Sequence, residues 1–303
     1  KLHEAYPDKE VYRPGTGSMN QFSNVDALGG NVFGVLLDYG QNLDVVNLFE
    51  SDFYKDYCAR LYDYNQKGYI SADASTDTTA VGELVKAGTL MSYTTGGKPG
   101  IKAQETTLTG RDMTIFQTLD DYIGSTSVAG MPWTIPISAQ HKEAAMKFLN
   151  ECYSNADVAN LLAWGIEGTH YKIGDDGLAT YADGVDASNS GWNHSMGWMM
   201  PNQFLTHVWE GNDPDLWDKM RDFNNNAKVS KASGFSFDST NVANEITAVQ
   251  NVYNEYQTSV EYGFVDPETG IAEMNDKMMA AGLQKIIDEK AAQLAAWQEA
   301  NKK

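Results

Sequence analysis

A chain of 303 residues is long enough for one large domain or two lobes. Its 41 acidic and 22 basic side chains leave a net charge of −19, which argues against nucleic acid or an anionic membrane surface as partner, because both demand a surplus of Lys and Arg. With 42% hydrophobic and 11% aromatic residues the chain can bury a core, and no apolar run approaches the ~18 residues of a membrane span.

The first 30 residues are rich in Gly and Asn. Asn31-Val32-Phe33-Gly34-Val35-Leu36-Leu37 reads as a short buried strand. Residues 51–65 read as a helix with Phe53, Tyr57, Arg60, Leu61 and Tyr64 on one side and Gly68 as its stop. Residues 83–95 read as a helical turn and then a strand through Leu90, Met91 and Tyr93, closed by the turn Gly96-Gly97-Lys98-Pro99-Gly100. Residues 126–137 are apolar and extended, but Pro132 and Pro136 remove ladder donors, so this is a crossing segment or an edge.

A helix follows, with Ser138 as its expected N-cap and Ala144, Ala145, Phe148, Leu149 and Cys152 on its inward face. Another runs from about Asp157, with Val158, Leu161 and Leu162 inward and Gly165 as stop. Residues 168–190 form a loop or hairpin turning at Asp175-Asp176-Gly177. Val242, Ile246, Val249, Tyr253, Tyr256 and Val260 make one stripe of a long helix that Gly263 ends. Leu283, Ile286, Ile287, Leu294 and Trp297 mark a last helix. Cys58 and Cys152 both fall in helical stretches and read as buried thiols, not a bridge.

Most chemical motifs fail on inspection. Gly15-Thr16-Gly17-Ser18-Met19-Asn20 lacks the third glycine of a dinucleotide loop and follows no strand. His141-Lys142-Glu143 opens a zinc-deaminase-like signature that nothing completes. Asp63-Tyr64-Asn65-Gln66-Lys67-Gly68 imitates a calcium loop, but Lys67 sits at a ligand position and Ala74 stands where a bidentate Glu is needed. No cofactor, metal set or catalytic residue is assigned. The many carboxylates leave open a glycoside hydrolase that uses an acid pair, because sequence carries no distance between them.

The strongest signal is aromatic. Six of the seven tryptophans (Trp133, Trp164, Trp192, Trp198, Trp209 and Trp217) fall within residues 133–217. Trp192-Asn193-His194-Ser195-Met196-Gly197-Trp198-Met199-Met200-Pro201-Asn202 mixes rings, amides and thioethers with no helical or strand period. Flat rings stack on the apolar faces of sugars while Asn and Asp bind the hydroxyl rims. Trp164, Trp209 and Trp217 read instead as core rings on helix faces.

Several segments, in order, resemble one family: the substrate-binding proteins of ABC importers that capture sugars outside Gram-positive cells. The resemblance is carried by Phe49-Glu50-Ser51-Asp52-Phe53-Tyr54, Lys67-Gly68-Tyr69-Ile70, Ala87-Gly88-Thr89-Leu90-Met91, Trp133-Thr134-Ile135-Pro136-Ile137-Ser138 and Glu143-Ala144-Ala145-Met146-Lys147-Phe148-Leu149-Asn150. Gly165-Ile166-Glu167-Gly168-Thr169-His170-Tyr171 is similar to a subgroup of lipoproteins with a C-terminal domain of unassigned function, which the tail from Ser239 also fits.

The resemblance implies a helix-rich α/β fold, a periplasmic-binding-protein-like (type II) lobe with a partial second lobe, in a chain lacking most of the N-terminal lobe. Residues 1–128 and 188–303 would form the C-terminal lobe, and 129–187 would cross into the N-terminal lobe. Tyr93, Trp133, Trp192, Asn193 and Trp198, with Phe22 and Asn24, are the implied carbohydrate-binding residues. Glu167 and His170 are expected to hold a loop together as a buried pair. The implied partners are a carbohydrate, an oligosaccharide by expectation, and ABC permease subunits. The protein would be a monomeric extracellular lipoprotein, touching the membrane only through an N-terminal lipid anchor absent from this chain. A surface glycan-binding module outside transport is the other non-enzymatic alternative.

Overall fold

The computed structural model describes residues 1–15, 24–127, 132–192, 194 and 196–302. In chain order its helices and strands are α1 (Leu2–Ala5), α2 (Asp52–Gln66), α3 (Val81–Ala87), α4 (Ile101–Thr109), β1 (Tyr122–Ile123), α5 (Lys142–Ser154), α6 (Ala156–Trp164), β2 (Tyr171–Ile173), β3 (Ala179–Tyr181), α7 (Leu216–Asn226), β4 (Lys228–Val229), α8 (Ala243–Glu261), α9 (Pro267–Ala280) and α10 (Leu283–Ala300). β1 pairs parallel with β4, Tyr122 opposite Lys228. β2 pairs antiparallel with β3, Tyr171 opposite Tyr181. The class is helix-rich α/β, as expected. Two compact units divide the chain: Lys1–Gly97 with Gln104–Gly130 and Asn226–Lys303, and Lys98–Ala103 with Met131–Asn225.

The first unit is built on α2, α8, α9 and α10. Ser51 caps α2 by accepting the Tyr54 N–H at 3.2 Å. Its buried side is Tyr54, Tyr57, Cys58 and Leu61, while Phe53 and Tyr64 pack at the margin. The expected stripe of α8 holds: Val249, Tyr253 and Val260 are buried and Ile246 and Tyr256 flank the core. Asp266 then caps α9, with Pro267 in its first turn. Gly263 joins the two helices at φ +72°, and a Cβ there would lie 2.3 Å from the Leu61 carbonyl oxygen, so only glycine fits. Phe49, Tyr54, Met274, Met278, Leu283 and Ile286 are almost fully buried, each contributing about 1.5–3 kcal/mol by burial.

Two expected strands of this unit are absent. Around 31–37 the chain makes only the isolated bridges Asp26 to Leu36 and Val35 to Val46, although Phe33, Val35 and Leu36 are buried. Gly34 at φ +90° breaks the extended run. Leu90 and Tyr93 likewise form single bridges, to Glu10 and Arg13. Arg13 is buried and bonds Glu10 and, at 2.6 Å, Asp77.

In the second unit α5 begins at Lys142 after His141, so Ser138 is not its cap. Of its expected inward face only Cys152 is buried; Ala144 and Phe148 are exposed, as is Met146 outside that stripe. α6 turns inward through Ala159, Asn160 and Ala163, leaving Leu161 exposed. Asn160 explains that rotation. Its amide donates to the Leu205 carbonyl at 3.3 Å and accepts the His207 N–H at 2.8 Å, tying this side of α6 to residues 205–207. The hairpin turns where the Asp-Asp-Gly signal placed it, Gly177 at φ +80° and the Asp176 carboxylate accepting from Leu178 N–H at 3.0 Å. This unit runs on to Asn225, whereas the sequence reading closed the crossing segment at 187. The bridge of Trp209 to Ala179 and the bond from the Trp217 indole to the Thr206 carbonyl hold the later residues in it. Cys58 and Cys152 are both buried free thiols.

Candidate functional site

The tryptophans of the second unit fall into two sets. Trp164, at the end of α6, stacks obliquely on Trp209 with ring centroids 4.8 Å apart, and Trp209 meets the edge of Tyr181 at 5.0 Å. The Trp164 indole N–H donates to the His207 carbonyl at 3.1 Å, and that of Trp217 to Thr206 at 2.8 Å. Trp217 also packs on Phe204, which carries the Arg221 guanidinium at 5.1 Å from its centroid. These three rings are half-buried and packed on neighbouring rings, so they act as packing. Trp209 does so from an extended segment and not from a helix.

Trp133, Trp192 and Trp198 form the second set, with 48%, 42% and 52% of their surface exposed. The Trp133 ring and the backbone after Trp198 are held. The Trp133 indole N–H donates to the Met199 carbonyl at 3.3 Å, and the Tyr153 hydroxyl donates to the same oxygen at 3.1 Å. His194 binds the Met200 carbonyl, and the Asn202 backbone and side chain donate to Cys152 and Tyr153 at the end of α5. The loop that carries Trp198 is therefore pinned on both sides by backbone acceptors. Tyr153 is a site residue that sequence reasoning missed; its only signal is a ring one position past Cys152, off the apolar stripe.

Trp192 lies beside His170, centroids 6.3 Å apart. His170 Nδ1 accepts the Ile166 N–H at 2.8 Å, so its proton resides on Nε2 when the ring is neutral. Gly165, at φ +85°, is where this ring crosses the chain: a Cβ there would sit 2.5 Å from His170 Nδ1. His170 thus has the expected loop-holding role. Glu167 does not share it as a buried partner, since it is exposed. A hollow of about 60 Å³ under Trp164, His194, Pro201 and Trp217 is far below the roughly 300 Å³ of a ligand pocket. The exposed ring faces, not an internal cavity, are what this unit offers.

The first unit places Tyr93 and Asn24 in separate settings. The Tyr93 hydroxyl donates to buried Glu105 in a short bond, and burial together with that carboxylate pushes the phenol well above its ordinary range. Asn24 is half-buried, and its carbonyl accepts the Tyr39 N–H. Tyr39 lines an open hollow of about 430 Å³ with Gln117, Thr118, Leu119 and Asp120. Sequence gave no sign of that hollow. Phe22 and Asn193 lie outside the described residues. No cluster of His, Cys, Asp and Glu able to hold a metal occurs among the described residues.

The fold is that of solute-binding proteins. The structure superposes on the N-glycan transport solute binding protein NgtS of Streptococcus pneumoniae with a TM-score of 0.85 and 23% identity, over 99% of this chain and 66% of that one. The same protein in complex with Man5GlcNAc gives 0.77 and 23%, over 100% of this chain and 66% of that one. The alginate-binding protein AlgQ2 gives 0.53 and 13% identity, over 97% of this chain and 66% of that one. In sequence the chain is 27% identical over 256 residues to a carbohydrate ABC transporter substrate-binding protein of S. pneumoniae serotype 4, covering 82% of this chain and 51% of the relative. The chain thus spans about half the length of the curated relative it matches. Residues 231–299 match a domain of unknown function, DUF3502, which bears out the reading of the tail. The resemblance seen in the ordered motifs is borne out as well.

Proposed function

We propose that this chain belongs to the substrate-binding component of an ABC importer that captures a carbohydrate, an oligosaccharide in particular, without covalent chemistry. The observation that carries the reading is the set of half-exposed indoles, Trp133, Trp192 and Trp198, with the Trp133 ring and the backbone after Trp198 tied to carbonyl acceptors. Rings so held lose little conformational entropy when a sugar stacks on them. Tyr93, Asn24, Phe22 and Asn193 complete the proposed ligand-contacting set. Glu261, which burial raises to about 7, is 1% exposed and sealed in a helical core, so it is not open to a substrate as a general acid.

In this reading the first unit is the C-terminal lobe, and the chain crosses near residue 129 into a piece of the N-terminal lobe. The exposed apolar face of α5, with Met146 and Phe148, is then the surface that the strands of a complete first lobe cover. The protein delivers its sugar to permease subunits, as a monomeric extracellular lipoprotein. The support lies in the carbohydrate-binding relatives and in an acidic chain suited to neutral ligands.

Intrinsic tryptophan fluorescence during titration of the full-length protein with Man5GlcNAc and other oligosaccharides tests this. A saturable change at micromolar glycan is the expected result. A response confined to amino acids or peptides, or release of shorter glycans, would overturn it.

A further inference from the structure

The DUF3502 region carries a buried cation that no ligand-contacting role uses. Lys290 sits on α10 in the apolar stripe, four residues after Ile286 and four before Leu294, and is 0% exposed. Its ammonium donates to the carbonyl oxygens of Ala27 at 3.2 Å, Asn31 at 2.9 Å and Gly34 at 2.9 Å, and to the Asn31 side-chain oxygen at 3.1 Å. Three N–H donors thus serve four oxygens, all on one eight-residue stretch of loop. The Phe237 ring lies 5.4 Å from the ammonium and closes the remaining side.

The loop needs such a device. It has no strand ladder, only the bridges at Leu36 and Val35. Leu28, Asp38 and Tyr39 are all left-handed, at φ 57°, 48° and 54°, a conformation that costs non-glycine residues free energy unless the surroundings impose it. Three carbonyls converging on one point repel one another unless a cation neutralises them. One end of the loop is anchored independently: the Asp26 carboxylate accepts from the Leu28 and Ser125 N–H groups and from the Ser125 hydroxyl. Lys290 supplies the grip in its middle.

We propose that the DUF3502 region acts as a clamp on residues 26–40, with Lys290 as the positioning residue that holds this loop in the conformation presenting Asn24 and the Tyr39 hollow. The grip itself stands on the geometry above; its consequence for ligand binding rests on the carbohydrate-binding reading.

The test is hydrogen–deuterium exchange on the full-length protein, ligand-free, comparing wild type with Lys290→Met, which keeps an unbranched apolar chain beside Phe237 and removes the donors. Exchange in peptides spanning 27–36 is expected to accelerate at least roughly tenfold while α8 and α9 stay as protected as before. In Lys290→Ala, millimolar n-propylammonium should restore protection and n-propanol should not. Unchanged exchange at 27–36, or acceleration spread equally over all helices, would overturn the clamp.

Because either variant could fail to fold, the wild-type protein gives a second measurement. A lysine Nζ signal with slowly exchanging protons, assigned to Lys290, is expected, and its absence would count against the grip. Glycan titration of Lys290→Met is expected to show at least roughly tenfold weaker binding. A loosened loop with unchanged affinity would overturn the positioning role. If the wild type itself ignores glycans, it is the carbohydrate reading that fails, and the exchange result still decides the clamp.

Discussion

The core rings of the first unit and one set of rings in the second are used in opposite ways. In the first, Phe33, Phe49, Tyr54 and Tyr253 are buried and meet at steep angles, Phe49 against Tyr54 at 5.1 Å and 83°, Phe33 against Tyr253 at 5.8 Å and 87°. In the second, Trp133, Trp192 and Trp198 keep about half their surface in water, while Trp133 and Tyr153 donate to the Met199 carbonyl next to Trp198. The first arrangement turns ring area into stability. The second forgoes that gain, which a fold retains only where open faces have another use. Stability should therefore respond steeply to change in the helical core, and ligand affinity to change in the exposed rings.

The largest expected effect is at the crossing of α2 with the α8–α9 corner. Gly263→Ala puts a methyl group 2.3 Å from the Leu61 oxygen at a φ that alanine resists. A loss of about 4 kcal/mol or more is expected, read as a collapse of the urea midpoint. A variant within about 1 kcal/mol of wild type would mean that this corner is far looser than its packing.

The next effect is on pH. The Glu261 carboxylate accepts the Tyr253 hydroxyl at 2.6 Å and the Tyr54 hydroxyl at 3.2 Å, and burial raises it to about 7. The folded state then binds more protons than the unfolded chain between about 4.5 and 7, so this group's contribution is present in acid and lost as pH rises through that window. The contribution is on the order of 3 kcal/mol. Glu261→Gln should flatten the acid-side slope of ΔG against pH. A slope unaltered by this variant would contradict the burial.

In the second unit the steric lesion is smaller. Gly165→Ala drives a methyl group into the His170 ring, which can swing away once its bond to Ile166 breaks. A loss of about 2 kcal/mol is expected, with His170→Ala about 1 kcal/mol. If Gly165→Ala costs as much as Gly263→Ala, the two units are equally rigid and the contrast between them fails.

How much of this could be read in advance follows the same divide. Stripes of α8 and α10 were legible because burial on a helix imposes a 3.6-residue period, and the Asp175-Asp176-Gly177 turn because its φ requirement is local. Residues 31–37 misled because a continuous apolar run is the same for a strand and for buried irregular chain; only the left-handed Gly34 separates them. Ala144 and Phe148 misled because periodicity shows which face of α5 is apolar, not whether anything covers it. Lys290 was legible in principle, a lysine at a stripe position between Ile286 and Leu294, but its acceptors lie more than 250 residues away in the chain. Among the proposed ligand contacts, the lack of period in 192–202 marked Trp192 and Trp198, whereas Tyr153, which holds their loop, showed only as a ring off the apolar stripe.

The smallest expected effect on stability is the sharpest test of the contrast. Trp198→Ala removes a half-exposed ring, so the urea midpoint should shift by less than the equivalent of about 0.5 kcal/mol. Trp164→Ala removes a ring stacked on Trp209 and bonded to His207, and should cost about 3 kcal/mol. Affinity should reverse that order. A sugar stacking on Trp198 gains roughly 0.5–1.5 kcal/mol from the ring, so Trp198→Ala should weaken glycan binding by about three- to tenfold. Trp164→Ala, measured well below its unfolding midpoint, should bind almost as wild type does. Calorimetric titration and urea unfolding of the same two variants suffice. If Trp198→Ala destabilises the protein and leaves affinity intact, its ring is core after all. If neither variant moves affinity, the open faces serve something other than a sugar.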